Sequence, residues 1–157
     1  MKTILVLEDD PGNMQVFCAL LGQKGFQVLE ATTGQEAIEI SNNEIGPIDL
    51  LVSDLHLPDL PGTEVALRLI ESRPNLPILF LSGIPMLNWT KRDLLNLTCL
   101  AANAVDFLEN PSTCPHLRRK LKTSCKAMLT SPRFKASAES YGTSGNFLPS
   151  NEDSAVY

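Results

Sequence analysis

No CxxC pair occurs in the 157 residues, and the four cysteines, Cys18, Cys99, Cys114 and Cys125, stand far apart. That spacing points to neither a zinc ribbon nor a disulfide framework, and buried thiols are expected instead. Long apolar runs are also absent at the start. Met1 to Leu7 holds one lysine and only four consecutive apolar residues before the acids begin, so neither a signal peptide nor a membrane span is predicted and a cytoplasmic location is expected. Bases are scarce in residues 1–110, six against fifteen acids, whereas 111–135 carry seven bases and no acid. The seven are Arg118, Arg119, Lys120, Lys122, Lys126, Arg133 and Lys135, and they read as the solvated face of a last helix. No nucleic-acid partner and no membrane contact are expected. No internal repeat is visible, and from about Thr130 branched aliphatics run out, which predicts a disordered tail over 130–157. With 43% hydrophobic and 20% charged residues, 1–129 suits one domain with a core of ordinary size.

What is present alternates regularly. Thr3 to Leu7, Phe26 to Ala31, Ile48 to Ser53, Pro77 to Leu81 and Ala104 to Leu108 read as strands. The first, third and fourth are nearly continuous in Ile, Leu, Val and Phe, the composition of parallel strands covered on both faces, and should be central. Helical patterns separate them. Asp10 and Pro11 suit an N-cap and a first helical position for Pro11 to Lys24, with Met14, Phe17, Cys18 and Leu21 on one face and Gly25 as terminator. Thr33 and Glu36 form a candidate capping box for a second helix with Ala37 and Ile40 inward, and Thr63 to Ser72 offers Val65, Leu69 and Ile70 for a third. Asn88 to Ala101 and Thr113 to Leu129 supply a fourth and a fifth. Five such units favour an α/β fold, a doubly wound five-stranded parallel sheet in the order 2-1-3-4-5.

In that order strands one and three are neighbours, and their carboxyl ends deliver Glu8, Asp9 and Asp10 beside Asp54. Acids so close raise one another's proton affinity unless a cation intervenes, so the cluster reads as a divalent-cation site at the switch point of the sheet. Four segments then resemble a known family in order and spacing: Ile4-Leu-Val-Leu-Glu-Asp-Asp-Pro11, Asp54-Leu-His-Leu-Pro-Asp-Leu-Pro-Gly62, Pro77-Ile-Leu-Phe-Leu-Ser-Gly83 and Ala104-Val-Asp-Phe-Leu-Glu-Asn-Pro111. Residues 1–129 resemble the response-regulator receiver domain of two-component signalling, with the flavodoxin-like fold of that family.

The resemblance implies a role for each residue. Asp54 would be the phosphoacceptor, attacking the phosphorus of a phosphohistidine. Asp9, Asp54 and the backbone carbonyl of His56 would bind Mg²⁺, with Glu8 acting directly or through water. Mg²⁺ takes six oxygens at about 2.0–2.1 Å and retains several waters, so few protein ligands suffice. The Ser82 hydroxyl and the backbone N–H at Gly83 would meet the phosphoryl oxygens, and Phe107 would be the switch aromatic whose rotation follows Ser82. The His56 imidazole is expected to point outward without a chemical role, and His116 to lie on the surface. A histidine kinase or phosphotransfer protein would be the donor, in a bacterial cell, and the face made by the fourth helix, fifth strand and fifth helix (the α4-β5-α5 face of the family) would engage a downstream protein or a second copy. The chain would not be an enzyme beyond self-catalysed phosphotransfer and autodephosphorylation.

Two departures stand against this. The family ends its fifth strand with a lysine before proline, whose ammonium pairs with the phosphoacceptor, whereas here Asn110 precedes Pro111 and Glu109 adds an acid. An amide donates without charge, so phosphate contact from Asn110 should be weaker. The stretch from Ser82 to Asn110, which holds Trp89, Lys91 and Arg92, is also several residues longer than in compact relatives. Lys91 or Lys120 reaching the pocket is disfavoured, because both fall in helices on the wrong side of the loop. Asn110 motivates an alternative, a pseudo-receiver binding partners without phosphate. A phosphate-ester hydrolase with an aspartyl nucleophile is disfavoured, since it needs an acid two residues beyond Asp54, where His56 stands. No output domain is expected after residue 129.

Overall fold

The computed structural model describes residues 1–84, 86–103 and 105–109. They form β1 (Thr3–Leu7), α1 (Pro11–Gly22), β2 (Gln27–Ala31), α2 (Gly34–Asn43), β3 (Leu50–Asp54), α3 (Gly62–Ser72), β4 (Ile78–Ser82), a single 3₁₀ turn (Met86–Asn88), α4 (Lys91–Cys99) and β5 (Val105–Glu109). All four strand pairings are parallel and the order is β2-β1-β3-β4-β5, as the alternating pattern predicts. The predicted fifth helix, the tail, Asn110 and His116 lie outside the described residues.

Every residue of β1, β3 and β4 is buried, which is why these strands are apolar on both faces. Alternation along each strand splits the core in two. Ile4, Val6, Leu50, Val52, Leu79 and Leu81 pack with Met14, Phe17 and Leu21 of α1 on one face. Leu5, Leu7, Leu51, Ile78 and Phe80 pack on the other with Ala37 of α2 and Val65, Ala66 and Leu69 of α3. Buried aliphatics of this kind each contribute roughly 1.5–3 kcal/mol, so the three central strands anchor the sheet that presents the site.

The caps explain where the helices start. Asp10 accepts from the Asn13 N–H at 2.7 Å and Pro11 fills the first helical position, both as predicted. Gly25 sits at φ 77°, past the end of α1, where a glycine avoids the steric cost of a left-handed turn. The predicted box at α2 is half formed. Thr33 accepts from the Glu36 N–H at 3.1 Å, but the Glu36 carboxylate turns back to Thr32, taking its N–H at 2.7 Å and its hydroxyl at 2.9 Å. These contacts hold Glu36 below the usual carboxylate range. The complete box is at α4, where Thr90 and Asp93 exchange side-chain and backbone bonds. Consequently α4 starts at Lys91 rather than Asn88. Cysteine burial is also corrected, since Cys18 is half-buried and Cys99 exposed. Burial and the neighbouring Glu30 carboxylate push the Cys18 thiol up to about 11, so it is a poor nucleophile.

Candidate functional site

Parallel register builds the site. Leu7 is level with Ser53 across β1 and β3, so the next residues, Glu8 and Asp54, emerge side by side at the carboxyl edge of the sheet. Asp9 follows at the start of the connection to α1. Oxygens of Glu8, Asp9 and Asp54 lie within 4.8 Å of one another, with Glu8 and Asp54 buried and Asp9 exposed. Asp10, counted with the acids in the sequence, is committed to capping α1 instead.

Glu8 is the strained member. Its Oε1 accepts from the Asn13 side chain at 3.1 Å and the Asp10 N–H at 3.3 Å, while its Oε2 is buried with no hydrogen-bond partner. Burial pushes Glu8 up to about 7 despite the Asn13 bond, and the charge of Asp54 pushes the same way. Asp54 is also raised, first by burial, against the opposing pull of the His56 N–H, which donates to its Oδ1 at 3.0 Å. A buried carboxylate with one unpartnered oxygen, grouped with two further carboxylates, is a donor set that fits a hard divalent cation. Mg²⁺ would be held by carboxylate oxygens of Glu8, Asp9 and Asp54, and when bound it would neutralise the crowded anions.

The loop after Asp54 is held to its neighbours by backbone and side-chain contacts. The Gly62 N–H donates to the Leu55 carbonyl at 3.0 Å, and the Asp59 carboxylate accepts from the Gly34 and Gln35 N–H groups at 3.0 Å each. Against the pull of burial, these backbone bonds keep Asp59 below its ordinary range. A cleft of about 630 Å³ opens beside this loop, lined among others by Asp9, His56, Pro58, Thr90, Arg92 and Asp93. The His56 ring is exposed, as expected. Of the two bases that begin α4, Arg92 rather than Lys91 borders the cleft, where it pairs with Glu64.

Ser82 ends β4, next to β3 in the sheet. Its hydroxyl donates to the Ile84 carbonyl at 2.7 Å and accepts from the Ile84 N–H at 3.2 Å. Gly83 is exposed, with open space where a Cβ would stand. Phe107 is half-buried and stacked on Phe80 with centroids 5.7 Å apart. The residue that sequence reasoning missed is Trp89, which is 8% exposed, tilted against Phe107 at 5.2 Å and bonded through Nε1 to the Ile84 carbonyl. Its position beside the Thr90 cap was the available signal, hidden because the helical pattern ran through it.

The family model for the response regulator receiver domain matches residues 4–122. The chain belongs to that family. This receiver is 32% identical over 108 residues to the cell cycle transcriptional regulator CtrA of Caulobacter vibrioides, covering 69% of this chain and 43% of the relative. It is 35% identical over 83 residues to the response regulator receiver protein CpdR of Brucella abortus, covering 53% of this chain and 68% of that one. Among solved structures, the receiver domain of the hybrid histidine kinase CckA superposes with a TM-score of 0.63 at 28% identity, covering 81% of this chain and 98% of the other. The Vibrio cholerae chemotaxis protein CheY4, at 20% identity and TM-score 0.68, shares the fold. The chain spans 30–43% of the first curated relatives, so the likeness to them concerns their receiver portion.

Proposed function

We propose that this receiver accepts a phosphoryl group on Asp54 from a phosphohistidine, with Mg²⁺ held by Glu8, Asp9, Asp54 and the His56 carbonyl, and signals through protein contacts. The observation that carries the reading is the convergence of three carboxylates within 4.8 Å, one with a buried unpartnered oxygen, at the end of a strand whose neighbour β4 ends in Ser82. An Asp54 carboxylate oxygen attacks phosphorus, the P–N bond to the donor imidazole breaks, and a proton restores the neutral imidazole. The bound cation supplies positive charge where the phosphoryl oxygens crowd the acids. The His56 N–H keeps the Asp54 carboxylate oriented. Ser82 and the Gly83 N–H donate to the phosphoryl oxygens, and Asn110 stands where a lysine would add charge.

The unit runs over residues 1–129, with 130–157 as a tail outside it. The donor is a histidine kinase or phosphotransfer protein. Output runs to a downstream protein over the face of α4, β5 and the helix expected over Thr113 to Leu129, or to a second copy. The test is intact mass after incubation with acetyl phosphate. Wild type should gain one phosphate with Mg²⁺ and none in excess chelator, and no gain under either condition would remove the reading. A pseudo-receiver, the second reading, is favoured by Asn110 and predicts partner capture that is indifferent to Asp54→Ala.

Asn110→Lys probes the departure. A charge-assisted bond exceeds a neutral one by about 1 kcal/mol or more, so loading should quicken or the adduct should last at least about fivefold longer. Unchanged kinetics of gain and loss of mass would show that Asn110 is not the limiting difference.

A further inference from the structure

We propose that Trp89 is a positioning residue for Ser82, its indole N–H holding the Ile84 carbonyl so that the serine hydroxyl is free to leave it for a phosphoryl oxygen. This rests on the phosphoryl-accepting reading of the Asp54 pocket. The Ile84 carbonyl takes two donors, Ser82 Oγ at 2.7 Å and Trp89 Nε1 at 3.2 Å. A serine hydroxyl has one proton, so Ser82 cannot donate to a phosphoryl oxygen while it donates to Ile84. Releasing this part-buried carbonyl with no other protein donor costs the share of that bond that water does not replace. Here the second lone pair is already engaged by Trp89, so the carbonyl keeps a partner after Ser82 turns.

The indole is placed for this by its surroundings. Trp89 follows the Met86–Asn88 turn, with its backbone N–H donating to the Met86 carbonyl at 3.1 Å, and precedes the Thr90–Asp93 capping box. That box is anchored to α3, because the Thr63 hydroxyl donates to Asp93 at 3.0 Å. Trp89 is 8% exposed, and its ring lies against Phe107, which in turn stacks on Phe80. The turn, the capping box and its tie to α3 therefore hold the backbone from which the indole reaches Ile84, independently of Phe107. Only the N–H, and not the ring, is needed for the effect on Ser82.

The experiment uses the full chain with Mg²⁺ and beryllofluoride, a phosphoryl mimic, followed by calorimetry and ¹⁹F NMR. Trp89→Phe keeps a ring and removes the N–H. It should bind beryllofluoride about fivefold more weakly, as expected for one lost hydrogen bond. Its affinity for Mg²⁺ alone should be unchanged. In a Ser82→Ala background the same substitution should have no further effect, which a packing role would not reproduce. In wild type the indole N–H resonance should stay protected from exchange when beryllofluoride binds. Equal binding by wild type and Trp89→Phe, an undiminished effect without Ser82, or loss of indole protection would overturn the proposal while leaving the phosphoryl reading intact. Failure of wild type to bind beryllofluoride would overturn both.

Discussion

Raising the pH of the metal-free protein from 5 to 8 should lower its thermal midpoint by roughly 8 °C, and millimolar Mg²⁺ should restore most of the loss. Glu8 is raised to about 7 in the folded chain, from an ordinary value of 4.5, with burial the main cause. Between those values the folded state binds more protons than the unfolded state. Stability is therefore full below about 4.5 and falls as pH climbs through 7, the reverse of an ordinary salt-bridged carboxylate. Asp54 is raised as well and adds to the fall. The shift of Glu8 corresponds to on the order of 2 kcal/mol once partial solvent screening is allowed for, or about 4 °C per kcal/mol in a domain of this size. A cation that binds only the folded chain at a hundred times its dissociation constant returns about 2.7 kcal/mol. Glu8→Gln should flatten the pH profile. Scanning calorimetry at three pH values, with and without chelator, checks the sign, and a midpoint that rises towards pH 8 without metal would contradict it.

Gly62→Ala should destabilise the fold by about 3 kcal/mol and weaken Mg²⁺ binding together. A Cβ at Gly62 would stand 2.0 Å from the Asp54 carbonyl oxygen and 2.7 Å from Ser53 Oγ. The first of these is backbone at the end of a buried strand, so relief requires α3 to back away or Asp54 to move. Ser53 cannot easily yield either, since its hydroxyl donates to that same carbonyl at 2.8 Å. Moving Asp54 opens the carboxylate cluster, which links the stability loss to the metal loss. Urea unfolding and calorimetric Mg²⁺ titration of one preparation measure both. Loss of stability with unchanged metal affinity would show that α3 absorbs the clash.

The acids were legible in the sequence because a parallel sheet turns chain position into spatial position. Strands that are apolar throughout must be central, adjacent central strands end level, and Glu8 and Asp54 each follow such an end. Ser82 came instead from the resemblance, one residue past the strand expected over Pro77 to Leu81, and the structure makes it the last residue of β4. Hydrogen-bond choice was not legible. Thr33 with Glu36 and Thr90 with Asp93 carry the same pattern of types, yet Thr32 offers Glu36 both an N–H and a hydroxyl and diverts it, whereas Asp93 is held on Thr90. Trp89 was noticed as part of the long stretch before Asn110 but given no role, for a related reason. Helical spacing runs through it, and only the geometry of the turn before α4 reveals that the ring is buried and its N–H spent on Ile84.

The most direct test of the central claim asks which atom carries the phosphoryl group. Borohydride reduction of the acetyl phosphate-treated protein converts an acyl phosphate on aspartate to homoserine, and peptide mass spectrometry then locates it. Homoserine is expected at position 54 alone, formed only when Mg²⁺ was present and absent from Asp54→Asn. Homoserine at Asp9 or another acid, or equal conversion in Asp54→Asn, would contradict it.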